Sequence, residues 1–206
     1  MSSITQEEGR YSLSFTTGAL LEREALIVIP TYLRLRDWGA VRTELAQKNA
    51  LQTRTRASSV RLGREIVQRL SVLSDDELTL LSKASPSERQ HLLWVAVCRK
   101  YRFLGDFAEE VVRERYLLLT PTLSHEDFDR FVLGKALWHP ELTETKPSTL
   151  AKLRATSFNM LREAGLLSDG QIVPAAISQR VHDILETRSP SDIRFFPARS
   201  GSEGSR

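Results

Sequence analysis

The chain has 206 residues, 41% of them hydrophobic and 27% charged, with a formal net charge of +3 and a sequence pI of about 9.2. That length and balance allow a buried core in one domain or two small ones and exclude general disorder. A single cysteine, Cys98 in the run "LLWVAVC", excludes a disulfide framework or a cysteine-based zinc site and reads as a small buried hydrophobe, consistent with a reducing cytosol.

The opening "MSSITQEEGR" carries acids and no apolar stretch, so it does not read as a secretory signal. A helix is predicted over 17–36. It holds the longest apolar uncharged run, "ALIVIPTYL" (25–33), about half of the roughly 20 residues a bilayer demands. The expectation is a cytoplasmic protein with no membrane partner.

"DWGAVRTELAQKNA" predicts a helix over 38–49 with Trp38, Val41, Leu45 and Ala46 inward, followed by a polar connection through Gln52. "TRTRASSVRLGR" (53–64) then opens a helix over 55–71. At 100° per residue, Ala57, Val60, Gly63, Val67 and Leu70 share its inner face with Ile66 on the flank, and Arg54, Ser58, Arg61, Glu65, Gln68 and Arg69 lie opposite. Thr55 or Ser58 is positioned to cap its start. Between Thr31 and Leu70 there are nine basic and three acidic side chains, a local charge of +6. An ordinary solvated face mixes signs at i and i+4, and here only Glu65 with Arg61 or Arg69 does so. Helix, short turn and an arginine-rich second helix is the layout of a helix-turn-helix.

Downstream, "SDDE" (74–77) and "SPSE" (85–88) are capping boxes and "SHED" (124–127) a weaker version, so helices are predicted over 75–83, 86–104, 106–118 and 125–138. "PELTETK" (140–146) superficially resembles the acid-x-lysine element of metal-dependent nucleases, but it reads as a proline-bounded loop, without adjoining strands to hold a metal. A helix over 148–164 starts at Ser148 as a possible cap and ends at Gly165. It turns Leu150, Leu153, Ser157, Met160, Leu161 and Ala164 inward and Ser148, Lys152, Ala155, Asn159 and Arg162 outward. "GLLSDGQIV" (165–173) reads as a small β-hairpin, placed where a winged helix-turn-helix carries its wing. A last helix is predicted over 175–186. The tail from 187 reads as largely disordered, with "IRFFP" able to dock.

The fold class is therefore all-α, a compact multi-helix globular fold with two helix-turn-helix elements, the C-terminal one winged. The expected regions are 1–72 (helix-turn-helix at about 38–70), a central helical scaffold at 73–123, the winged element at 124–186, and the tail at 187–206. His91, His125, His139 and His182 are scattered, with no metal-ligand spacing, phosphate loop or nucleophile motif among them or elsewhere. No catalysis, metal or cofactor is expected. The expected DNA contacts are Arg54, Arg56, Ser58, Arg61, Arg64, Gln68, Arg69, Ser148, Lys152, Asn159 and Arg162. Arginine can fork onto phosphate or guanine and asparagine onto adenine. Two alternatives stay open: a protein-protein adaptor whose basic face docks an acidic subunit, and an RNA binder. Two pseudo-equivalent motifs in one chain suit a monomer.

The block "YSLSFTTGALLEREALIVIPTYLRLRDWGAVRTELAQKNALQTRTRASSVRLGREIVQRL", together with "LLWVAVCRKYRFLGDFAEEVVRERYL", "GLL" and "DIRFFP", resembles the BrxA family of bacterial phage-exclusion (BREX) defence systems over nearly the whole chain. That resemblance implies a small all-helical component that binds double-stranded DNA and works beside other subunits bearing methyltransferase, ATPase and phosphatase-like functions. It brings no catalytic residues.

Overall fold

The structure is a computed structural model that describes residues 9–15, 18–48 and 50–199. The expected leader-free start (1–8) and the disorder expected at 200–206 lie outside these residues. The architecture is all-α, with one two-stranded antiparallel hairpin among the described residues.

The chain divides into two units, Leu20–Lys100 and the combination of Met1–Ala19 with Tyr101–Arg206. This differs from the four consecutive regions expected. No unit boundary falls near 72, because helices on both sides of that position share one core, and an N-terminal segment joins residues from 101 onward.

The Leu20–Lys100 unit contains α1 (Glu22–Leu35), α2 (Trp38–Lys48), α3 (Arg56–Leu70), α4 (Asp75–Ser82) and α5 (Pro86–Lys100). Helix α1 starts five residues later than expected, with Leu21 left-handed at its N-cap. Helix α2 starts on an Asp37 side-chain cap to the Ala40 amide. Both capping boxes form at α4 and α5: Ser74 and Glu77 bond reciprocally, as do Ser85 and Glu88. Helix α5 is buried on every side from His91 to Cys98, as its unbroken apolar run requires. Glu77 also receives the Arg99 guanidinium, which ties α4 to α5 through an ion pair with both partners buried.

The second unit is built around an aromatic cluster. Tyr11 and Phe15 meet Phe103, and Phe103 and Phe107 pack edge-on or tilted against Phe128 and Phe131 at centroid separations of 5.3–5.7 Å. Such pairs each add about 0.5–1.5 kcal/mol beyond area burial. The helix expected to run through 104 instead breaks at Tyr101. It resumes as α6 (Arg102–Phe107), a π-helical segment (Ala108–Arg113) and α7 (Glu114–Leu117). Apolar spacing continues unbroken across that break, so periodicity could not mark it.

Helix α8 (His125–Ala136) begins on a complete capping box between Ser124 and Asp127, stronger than the sequence suggested. The expected loop at 140–146 contains a short helix, α9 (Pro140–Glu144), with proline at its start. Helix α10 (Pro147–Glu163) begins at Pro147, so Ser148 lies inside its first turn and does not cap it. It ends in a Schellman motif: the Gly165 amide, at φ +70°, donates to the Arg162 carbonyl, and Leu166 donates to Leu161.

Strands β1 (Leu167–Ser168) and β2 (Gln171–Ile172) follow, joined by Asp169 and Gly170, both with positive φ as a two-residue hairpin turn requires. Residues 121–123 add to this wing through a bridge from Thr122 to Gln171. That places them with the C-terminal element, outside the central scaffold to which the sequence assigned them. After α11 (Gln179–Glu186) the tail does dock: a 3-10 turn at Asp192–Phe195 buries Ile193, Phe195 and Phe196, and the Ala175 amide donates to the Pro197 carbonyl.

Candidate nucleic-acid interface

Helix α3 carries the arginine-rich segment. Thr55 caps it, accepting from the Ser58 amide at 3.1 Å, while the Thr55 hydroxyl donates to Ser58 Oγ. No acid occupies its first turn; Arg54 and Arg56 flank the cap instead. Cations at a helix N-terminus oppose the macrodipole, by roughly 0.3–1 kcal/mol each, so this arrangement is unfavourable until an anion arrives. By contrast α4, α5 and α8 all start with carboxylates.

The nine cations between Thr31 and Leu70 separate into two groups. Four are neutralised: Arg34 and Lys48 share Glu44, Arg36 meets Asp75, and Arg69 meets Glu65 at 2.7 Å. The other five, Arg42, Arg54, Arg56, Arg61 and Arg64, are exposed and have no carboxylate partner among the described residues. The shared carboxylate behaves accordingly: hydrogen bonds from Arg34 and Lys48 hold Glu44 below its ordinary range.

Two grooves between α2 and α3 are lined by four of these arginines, and Arg61 lines neither. One, of about 400 Å³, is lined by Gln47, Thr53, Arg54, Thr55, Arg56 and Ser59, with Ala46 at its side. The adjoining one, of about 210 Å³, includes Arg42, Val60, Gly63 and Arg64 and shares Ala46 and Ser59 with the first. Arg54 and Arg56 thus share one groove, and Arg64 lines the adjoining one. Arg42 joins them unanticipated, because its place on α2 gives no hint in sequence of how near α3 lies.

Two expectations for α3 need correction. Arg69 is 1% exposed and ion-paired, so it is a structural residue and is withdrawn from the contact set. The helix is also rolled relative to the expected wheel: Ser59, Gly63, Ile66, Val67 and Leu70 are buried, while Ala57 and Val60 are exposed. The buried side therefore follows i, i+4, i+7 and i+11 from a serine that apolar patterning ignored. Ser58 and Gln68 are half-buried.

In the second unit, α10 also lacks an acid in its first turn. Its outward stripe is as expected, with Ser148, Lys152, Ala155, Asn159 and Arg162 all exposed. Leu153, Ser157, Met160 and Leu161 are buried and Leu150 is half-buried. Arg154 forks onto Asp129 at 2.6 and 2.8 Å, which holds α10 against α8. On α8 and just beyond it, Leu133, Leu137 and Trp138 are 70–83% exposed. Among the described residues, no cluster of three or more histidine, cysteine or carboxylate groups lies placed to hold a metal. Glu141, of the nuclease-like stretch, instead accepts from the Tyr11 amide and pairs with His139. No helix of the described residues is long and apolar enough to cross a membrane.

Residues 9–189 match the family model described as BrxA. The chain is 28% identical over 148 residues to the BREX protein BrxA of Escherichia coli O9:H4 (strain HS), spanning 72% of this chain and 70% of that protein. It is 23% identical over 164 residues to the BREX protein BrxA of Paramagnetospirillum magneticum (strain ATCC 700264 / AMB-1), spanning 80% and 82%. The crystal structure of an uncharacterized protein from Magnetospirillum magneticum shares the fold, with a TM-score of 0.79 at 23% identity over 91% of this chain and 99% of that one.

Proposed function

Because this chain belongs to the BrxA family, we propose that it serves a BREX phage-defence system as a non-catalytic subunit that binds double-stranded DNA. The arginine groove of α2 and α3 makes one contact, and the outer face of α10 with its wing makes another. The observation that carries this reading is the set of five exposed arginines on and between α2 and α3 that have no carboxylate partner among the described residues, with no acid in the first turn of α3. A surface evolved only for solubility neutralises such charge locally, as Glu44 and Asp75 do for their neighbours. A phosphate backbone neutralises it with release of counterions.

Arg54, Arg56, Arg61 and Arg64 carry the α3 contact with Ser58 and Gln68 beside them, and Arg42 is added to them. Ser148, Lys152, Asn159 and Arg162 carry the α10 contact, where small and amide side chains suit base edges. The remaining BREX subunits are the expected protein partners, and the cytoplasm, where DNA and such subunits meet, is the expected compartment. Anisotropy of a labelled duplex titrated at several salt concentrations tests the proposal. Saturable binding that weakens steeply with salt supports it, and a flat response sinks it.

The adaptor reading keeps one observation in its favour: the exposed Leu133, Leu137 and Trp138 form an apolar surface of the kind that protein contacts use. Under that reading, replacing Leu133, Leu137 and Trp138 by serine abolishes pull-down of a partner subunit and leaves DNA retention intact.

A further inference from the structure

A lone apolar side chain on a surface is ordinary and asks for no explanation. Val60 is set apart by where it stands. The roll of α3 leaves it 46% exposed, while Ser59 and Gly63, its neighbours along the helix, are buried. At 100° per residue it belongs to an outward stripe with Ala57, Arg61 and Arg64, all exposed, and with Gln68 half-buried one turn further on. Arg61 and Arg64 have no carboxylate partner among the described residues. A valine gives little to such a position in the free protein. Its branched side chain is a poorer helix former than the lysine, glutamine or glutamate that a solvated face favours, and at this exposure it adds little to the core.

Val60 lines the smaller groove, of about 210 Å³, together with the apolar Leu45, Ala46 and Gly63. Arg42 and Arg64 are the charged members of that lining, and no acidic side chain takes part. Two chemistries therefore meet on one side of α3: cations that suit phosphate or the guanine edge, and a small apolar surface between them. In the major groove of a DNA duplex the apolar group within reach of a side chain is the C5-methyl of thymine. We propose that Val60 is a specificity-determining residue that packs against a thymine C5-methyl in the major groove, while Arg61 and Arg64 hold the flanking phosphates or guanine edges. The inference rests on the reading of α3 as a duplex DNA contact and goes beyond it by naming a base. It also separates DNA from RNA: uracil lacks this methyl, and the deep, narrow major groove of an RNA duplex keeps side chains from base edges.

Two duplexes that differ only in that methyl test the contact: alternating adenine and thymine, and the same sequence with deoxyuridine in place of thymidine. Alternation presents the methyl in every register of binding. Anisotropy of each labelled duplex is measured across a salt series with the full chain and with its Val60→Ser and Val60→Ile variants. The wild type is expected to bind the thymine duplex about fourfold more tightly, the worth of one buried methyl group. Val60→Ser is expected to lower the thymine-over-uracil ratio by about fourfold, and Val60→Ile to keep it. Differences in duplex shape act on all three proteins alike and cancel between them. Since neither valine nor serine is charged, the salt slope stays as in the wild type. A wild-type ratio near one, a ratio unchanged in Val60→Ser, or one lost equally in Val60→Ile overturns the contact, and steep salt dependence on either duplex then keeps the DNA reading standing. If neither duplex binds the wild type, the DNA reading and the methyl contact fall together.

Discussion

Arg61 and Arg64 provide the most direct test of the charge argument. Both are exposed and neither has a carboxylate partner among the described residues, so changing them to glutamine strands no buried acid. Folding stability is expected to stay within about 0.5 kcal/mol of the wild type. If each of the five exposed arginines of the α2 and α3 contact, together with Lys152 and Arg162 of the α10 stripe, neutralises one phosphate, log affinity falls with log salt at a slope of about −6.3. Raising salt fourfold, from about 50 to about 200 mM, then weakens binding roughly 6,000-fold. The double variant R61Q/R64Q retains five such contacts, for a slope of about −4.5 and a loss of roughly 500-fold over the same range. Arg69 supplies the contrast, because it shares the helix but is 1% exposed and paired with Glu65. Its replacement by methionine leaves Glu65 without that partner and is expected to destabilise the fold by about 3 kcal/mol, while protein that remains folded keeps the wild-type slope. Anisotropy of one labelled duplex across the salt series measures all three slopes, and urea unfolding measures the stabilities. An unchanged slope in R61Q/R64Q, or a reduced one in folded Arg69→Met, refutes the assignment of the contact to exposed arginines.

Lys152→Gln with Arg162→Gln removes the two cations of the exposed α10 stripe and is expected to make the slope shallower by about 1.8; full retention of the wild-type slope would remove α10 from the DNA contact. Asp127 is pushed up by burial, but the Ser124 backbone and hydroxyl donors, with Arg115 and Arg130, more than reverse this and hold its carboxyl below the usual range. A depressed folded value means stabilisation that is complete above the unfolded carboxylate value of about 3.9 and is lost as pH falls through the folded one. Asp127→Asn is therefore expected to lower the urea midpoint at pH 7 and to converge with the wild type under strongly acidic conditions; a constant gap across pH contradicts it. Gly165 sits at φ +70° with nothing near the place a Cβ would take, so Gly165→Ala is expected to cost about 1 kcal/mol by conformation alone, measured by urea unfolding. An unchanged midpoint would show that the left-handed end of α10 is not required.

Much of the fold was legible because its signals are local. A capping serine and its partner carboxylate lie three residues apart, so the starts of α4, α5 and α8 follow from short stretches of chain, as does the hairpin turn at Asp169 and Gly170. The break at Tyr101 and the π-helical segment were not legible, since apolar residues keep helical spacing across both. The roll of α3 was missed for a related reason: hydrophobicity weights Val60 inward and ignores Ser59, yet the neighbours of α3 leave Val60 exposed and bury the serine.

The sequence by itself determined an all-helical chain with a concentration of arginine between residues 31 and 70 and an outward polar stripe on α10. These are properties of composition and of neighbours within a few positions, where intrinsic geometry dominates. Only the tertiary structure decided which charges are available. Arg42 reaches the groove, Arg69 is withdrawn into an ion pair, and Arg36 is answered by Asp75 from a different helix. The physical reason is that charge pairing and burial depend on distances through space between helices, which helical periodicity within one segment does not encode.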